Sequence, residues 1–89
     1  MTIQIDPHTL DRLAERDATT DEVEDVIRTG FPEEAYSGRF AKSKVYTYDG
    51  IWRGRFYGQK KVRVVFSMVR ETAITVTVVV YFGFWGQPA

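Results

Sequence analysis

Hydrophobic and polar positions change period partway along the chain. From Asp6 to Gly30 the apolar residues recur every three or four positions, and from Phe40 to Phe82 they largely alternate with polar ones. The first spacing is that of a helix with one buried face, and the second that of a half-buried strand. In "DPHTLDRLAER", Asp6 is placed as an N-cap, Pro7 stands at the first helical position, and Leu10, Leu13 and Ala14 form the apolar stripe. In "TTDEVEDVIRTG", Thr19 and Glu22 have capping-box spacing, Val23, Val26 and Ile27 form the stripe, and Gly30 marks the stop. Two helices are predicted within about residues 7–30, followed by a connector at Pro32, Glu33 and Glu34.

The alternating half predicts strands whose register follows from their turns. Asp49-Gly50 between alternating segments is the strongest short hairpin signal. A two-residue turn there pairs Tyr48 with Ile51, Tyr46 with Arg53, Lys44 with Arg55 and Lys42 with Tyr57, leaving Val45, Trp52 and Phe56 on the other face. A second turn is predicted at Gly58-Gln59-Lys60. A two-residue loop would set Lys61 and Arg63 beside Trp52 and Phe56, so a three-residue loop fits better and brings Val62, Val64 and Phe66 to the apolar face. The same logic gives a three-residue loop at Arg70-Glu71-Thr72, which sets Ile74, Val76, Val78 and Val80 on the face of Val62, Val64, Phe66 and Met68. The expected fold is α+β: two N-terminal helices packed on one face of a four-stranded antiparallel sheet. It forms a single domain over residues 1–89, with the sheet at about 39–82 and a tail at 83–89.

The opposite, exposed face would then carry Lys42, Lys44, Tyr46, Tyr48, Arg53, Arg55, Tyr57, Lys61, Arg63 and Tyr81, with Lys44, Arg55 and Arg63 in one row. Like charges directly opposite each other on a sheet cost roughly 0.2–1 kcal/mol per pair, so the row asks for an anion. Cations for phosphates and aromatic rings for bases are what single-stranded nucleic acid needs. The competing reading is a solvated face kept soluble by long cationic side chains.

Composition narrows the classes. The chain has 89 residues, 44% of them hydrophobic and 15% aromatic, which suits one small globular domain. It has no cysteine and one histidine, His8, so neither thiolate chemistry nor a protein-built metal site is expected, and no cofactor is implied. The N-terminus lacks a secretory pattern and the longest apolar run is too short to span a bilayer, which predicts a cytoplasmic protein without a membrane partner. Residues 1–36 hold ten acidic side chains against Arg12, Arg16 and Arg28. Residues 37–89 hold nine basic ones against Asp49 and Glu71, so a net charge of zero conceals a −7 half and a +7 half. The asymmetry suggests an anionic partner for the basic half; the plainer explanation is that the two halves attract each other.

Helix one carries a second pattern. His8, Arg12 and Arg16 follow at i, i+4 and i+8 on one side. Lying opposite Leu10 on the helical wheel, His8 and Arg12 are expected to face away from the core. Near the other terminus, Phe82, Phe84 and Trp85 gather enough aromatic surface to suggest a homodimer contact or a partner-docking site.

These segments, "PHTLDRLAERDATTDEVEDVIRTG", "GRFAKSKVYTYDGIWRGRFYGQKKVRVV" and "ITVTVVVYF", resemble a family of small prokaryotic proteins of unknown function. Its members open with His-x-x-x-Arg-x-x-x-Arg-Gly on a first helix and close on a Val-Thr-Val-Tyr-like strand. The likeness spans residues 3 to 82, carries over onto His8, Arg12 and Arg16, and departs at Asp17, where the family has glycine. That family in turn resembles the RelE/ParE-like toxin superfamily, in whose ribonuclease members RNA lies on the exposed sheet face. The resemblance implies either of two functions, with inhibition of a DNA enzyme such as gyrase a third by superfamily analogy alone. One is a toxin-like, metal-independent endoribonuclease, in which Lys44, Arg55 and Arg63 stabilise phosphate charge while Tyr46, Tyr57 or His8 moves protons; no carboxylate stands among them to act as base. The other is a non-catalytic module for nucleic acid or for an acidic protein such as an antitoxin, gripping through Lys42, Arg53, Lys61 and Tyr81 as well.

Overall fold

The structure, a computed structural model, describes residues 1–86; the last three residues of the predicted tail, 87–89, lie outside them. The elements are β1 (Thr2–Gln4), α1 (Pro7–Leu13) continued by a 3-10 turn (Ala14–Arg16), α2 (Thr20–Thr29), β2 (Phe31–Glu33), β3 (Phe40–Trp52), β4 (Arg55–Val69) and β5 (Thr72–Gly83). The strands form one sheet in the order β1-β5-β4-β3-β2, with β1 parallel to β5 and the other pairs antiparallel. Helix α1 packs on β5, and α2 packs on β4 and β3. The class is α+β as expected, but the sheet has five strands and is mixed rather than four-stranded and antiparallel. Among the described residues no helix is long and apolar enough to cross a membrane.

Both helices start where their caps predict. Asp6 is the N-cap of α1 with Pro7 behind it, and Thr19 and Glu22 close a reciprocal capping box at α2. Helix α2 buries Val23, Val26 and Ile27 completely against Val62, Val64 and Phe66. Each such side chain is worth about 1.5–3 kcal/mol of transfer free energy. Gly30 ends α2 without left-handed backbone; a Cβ there would lie 2.5 Å from the Val26 carbonyl oxygen and 2.9 Å from that of Ser43, so only glycine fits.

Helix α1 is rotated from its expected setting. Thr9 and Leu13 are buried, whereas Leu10, expected in the core stripe, is exposed. The rotation has a polar cause. The Thr75 hydroxyl on β5 donates to Asp6 Oδ1 at 2.9 Å and accepts from the Asp6 N–H at 3.0 Å, and the Thr9 hydroxyl also donates to Asp6 Oδ1. This clamp draws the Thr9 side of α1 onto β5 and leaves Leu10 outside.

The turns differ from the expected ones, and with them the register. The β3–β4 hairpin reverses at Arg53-Gly54, both left-handed (φ 50° and 82°), and not at Asp49-Gly50. Asp49-Gly50 instead forms a bulge, with Asp49 at φ 45° and the pairing shifted between Thr47 and Gly50. There is no turn at Gly58-Gln59-Lys60: β4 runs unbroken from Arg55 to Val69. Trp52 therefore lies directly across from Arg55 and shares its face, Lys44 opposes Val62, and Lys42 opposes Val64. The β4–β5 turn is a two-residue loop at Arg70-Glu71. The pairing shifts between Val65 and Phe66, so the extra residue expected in the turn sits in a bulge. Val78 and Val80 therefore share the face of Val64 and Val62 as expected, but before the bulge Phe66 faces Thr75 and Met68 faces Ala73, so Ile74 leaves the apolar face and Val76 sits in the bulge.

Candidate functional site

The predicted row of Lys44, Arg55 and Arg63 does not form, and its members separate onto three surfaces. Lys42, Lys44 and Tyr46 alternate onto the helix-facing side, where they hold α2. Lys42 Nζ donates to the Ile27 carbonyl at 2.8 Å, in the last turn of α2 where the helix dipole favours a cation. Lys44 Nζ donates to Asp25 Oδ2 at 2.8 Å and to the Thr29 hydroxyl at 2.9 Å, and the Tyr46 hydroxyl donates to Asp25 Oδ2 at 2.6 Å. Lys60, 6% exposed, completes this seam by donating to Glu22 Oε1 at 3.0 Å and to the Asp17 carbonyl at 2.6 Å. The Lys44 ammonium, then the Tyr46 hydroxyl, hold the Asp25 carboxyl down to about 2, against the opposing effect of burial. Burial and the bond to Asp25 push the Tyr46 phenol well above its ordinary value. A phenol so placed keeps its proton at neutral pH, which makes it a poor base.

On the face away from the helices, Glu33 is the hub. It accepts from Ser43 Oγ at 2.6 Å and Arg63 Nε at 2.9 Å, and pairs with Lys61 Nζ at 3.1 Å. Arg63 Nη2 also donates to the Glu34 carbonyl at 3.1 Å. Burial raises the Glu33 pKa, but the Ser43 hydroxyl and the two cations outweigh it and leave the carboxyl below its usual range. Tyr81 and Trp85 border the same hollow. The aromatic tail partly returns to its own chain: the Trp85 N–H donates to Gln59 Oε1 at 2.6 Å, Gln59 Nε2 donates to the Gly86 carbonyl, and Phe84 stays exposed. All four ion pairs among the described residues join an acid of residues 1–36 to a base of residues 37–89. The plainer explanation of the charge split accounts for those cations.

Four arginines of the basic half, Arg39, Arg53, Arg55 and Arg70, have no ion pair among the described residues, and two of these lie over aromatic rings. Arg53 and Arg55 lie at the hairpin tip, Arg53 over the Trp52 ring (5.4 Å) and Arg55 over the Tyr57 ring (5.8 Å). Among the described residues neither has a carboxylate in salt-bridge range. Trp52 stacks on Phe82 with centroids 4.8 Å apart and planes 15° from parallel, and Tyr48 and Tyr57 flank the same ring. Ile51 and Phe56 beside them are exposed. The tip is a projecting platform of aromatic rings with two unpaired guanidinium groups.

His8, Arg12 and Arg16 do not face away from the sheet. The rotation of α1 turns them toward β5, where with Thr9, Val76, Thr77 and Val78 they line a groove of about 180 Å³. Arg16 Nη1 donates to the Val78 carbonyl. The partners that the sequence reading missed are Glu22, Asp25 and Glu33. Glu22, Asp25 and Thr29 recur at i, i+3 and i+7, a polar stripe alongside Val23, Val26 and Ile27, and that spacing was the available signal. Among the described residues no group of His, Asp and Glu is placed to hold a metal ion. No protein-family model matches the chain, and no curated protein or solved structure matches it either.

Proposed function

We propose that the protein is a non-catalytic module that binds single-stranded RNA at the tip of the β3–β4 hairpin. One observation carries this reading: Lys42, Lys44, Lys60, Lys61 and Arg63 all have acceptors within the chain, while Arg53 and Arg55 lie instead on aromatic rings at an exposed turn. Bases stack on such rings with little regard for sequence, and guanidinium groups reach the flanking phosphates. The backbone supports the same reading. Arg53 holds φ 50° at a turn position that asparagine or glycine fills with less strain, and an arginine kept there costs roughly 1 kcal/mol. Binding without cleavage is favoured because Tyr46 is tied to Asp25 and His8 lies in the α1–β5 groove.

Two features support the resemblance to the RelE/ParE-like superfamily. Both helices precede the three long strands β3, β4 and β5 and pack on one face of the sheet, although the short β1 comes before them. Asp17, where the similar family carries glycine, has left-handed backbone (φ 54°). On that reading the RNA site has moved from the sheet face to the hairpin end.

Fluorescence anisotropy with a labelled single-stranded RNA of about ten nucleotides, a size within the range of small stacking platforms, tests the proposal. Combining Arg53→Asn with Arg55→Ala should weaken binding and flatten its salt slope by about 1.4, at about 0.7 per phosphate contact on a single strand. Arg53→Asn alone should stabilise the fold while it weakens binding. Undiminished affinity in the double variant would remove the tip from consideration. Cleavage of the RNA by the wild-type protein would overturn the non-catalytic assignment.

A further inference from the structure

Strand β5 is paired along only part of one side. Strand β1 covers it from Thr72 to Ile74, and among the described residues no other strand lies on that flank, so Val76 to Phe82 form a bare sheet edge. The Val78 carbonyl receives Arg16 and therefore points outward. Outward-facing residues repeat every second position in an antiparallel strand, so the backbone groups of Val80 and Phe82 point the same way. An edge rich in β-formers with free N–H and C=O groups is a template for a further strand. Next to it, the groove wall contributed by α1 presents His8, Arg12 and Arg16, and the groove has no carboxylate in its lining.

We infer that this edge accepts an extended acidic segment of a partner protein by strand addition, with its carboxylates on Arg12 and Arg16. The occupant follows from what the edge must release. An added strand would take the Val78 carbonyl, and Arg16 would have to leave it. A carboxylate on the incoming strand gives that guanidinium a charged, potentially bidentate partner in place of a neutral carbonyl. A basic or neutral strand gives it nothing. A second copy of this chain pairing along β5 would set two rows of His8, Arg12 and Arg16 against each other, which like-charge repulsion opposes. The site meets the hairpin-tip platform at Phe82 but does not depend on the RNA reading.

Amide exchange of the full chain, followed by NMR, tests this with a capped peptide of roughly ten residues, about twice a typical strand, in which valine alternates with glutamate. The peptide should slow exchange at Val80 and Phe82 about tenfold or more, because those amides become internal to a sheet, and salt should weaken its binding. Arg12→Glu, at an exposed position that should leave the fold intact, should weaken binding about fivefold, the scale of one exposed ion pair. The same peptide N-methylated at alternate residues should not bind. Equal protection by a lysine-for-glutamate peptide, or equal binding of the N-methylated one, would overturn acidic strand addition. So would protection that rises with protein concentration in the absence of peptide, which would identify a second copy as the occupant. Protection of these amides by single-stranded RNA but not by the acidic peptide would also overturn it.

Discussion

Glu22 performs two functions with one oxygen. Its Oε1 accepts the Thr19 N–H of the capping box at 3.0 Å and the buried Lys60 ammonium at 3.0 Å. Glu22→Ala should lose the cap, about 1 kcal/mol. It should also strand Lys60 with only the Asp17 carbonyl and the Tyr48 ring. Removing one partner of a buried pair costs about 3–5 kcal/mol, and the remaining carbonyl argues for the lower end. The sum, about 4 kcal/mol, is a large part of the roughly 5–13 kcal/mol expected of a domain this size. It should lower Tm by about 15–30 °C. Lys60→Met should cost less than Glu22→Ala, about 1–2 kcal/mol, because Glu22 is the more exposed partner and keeps the Thr19 N–H as a donor. In the Lys60→Met background, Glu22→Ala should then cost only the cap. Urea denaturation of the four proteins, followed by circular dichroism, measures the coupling, expected at about 2–3 kcal/mol. A coupling below about 0.5 kcal/mol, the range of independent sites, would refute the claim that this polar seam docks α2.

Glu33→Gln should destabilise the fold by about 1–2 kcal/mol, since Lys61 and Arg63 lose their counter-charge, yet lengthen retention on a heparin column; unchanged retention would count against Glu33 as the neutralising hub. Asp25 has a folded-state pKa of about 2, below its unfolded value, so its stabilisation is complete above pH 4 and is lost as pH falls through about 2. Glu33 acts in the same direction, so melting points should hold at pH 5 and fall steeply between pH 4 and 2. Asp25→Asn should flatten that fall, and an Asp25 carboxyl resonance titrating near 4 would contradict the seam.

The helices were legible because their determinants are local. The Thr19–Glu22 box and the Asp6-Pro7 start lie within one turn of the residues they order. The hairpin was not, because Asp49-Gly50 is the stronger local turn signal, yet the chain reverses four positions later at Arg53-Gly54, against the preference of arginine. The choice between them is made far along the chain, where Lys42, Lys44 and Tyr46 take their partners from α2. Alternation revealed which residues share a face, but not which face is covered. Lys42, Lys44 and Tyr46 looked like an exposed set because they are polar. They are covered because α2 brings Asp25 and its terminal carbonyls to them, and because lysine stems are themselves apolar. The site residues inherited that ambiguity. Lys61 and Arg63 do lie on the open face, but Glu33, thirty residues upstream, neutralises them. The rotation of α1 depends on the Asp6–Thr75 bonds, which no local pattern encodes.

The pairing of β1 with β5 also constrains the order of assembly. Residues 2–4 can find Thr72–Ile74 only after the chain has been synthesised past Ile74, and the Asp6–Thr75 clamp spans 69 positions. Helices α1 and α2 leave the ribosome before any strand that can cover their apolar stripes. Closing so long a loop costs entropy before any contact offsets it, which places this fold among the slower small domains. During that interval the first 36 residues form a free acidic segment. As β3 and β4 emerge beside ribosomal RNA, that segment is the nearest polyanion to their lysines, tethered at high effective concentration.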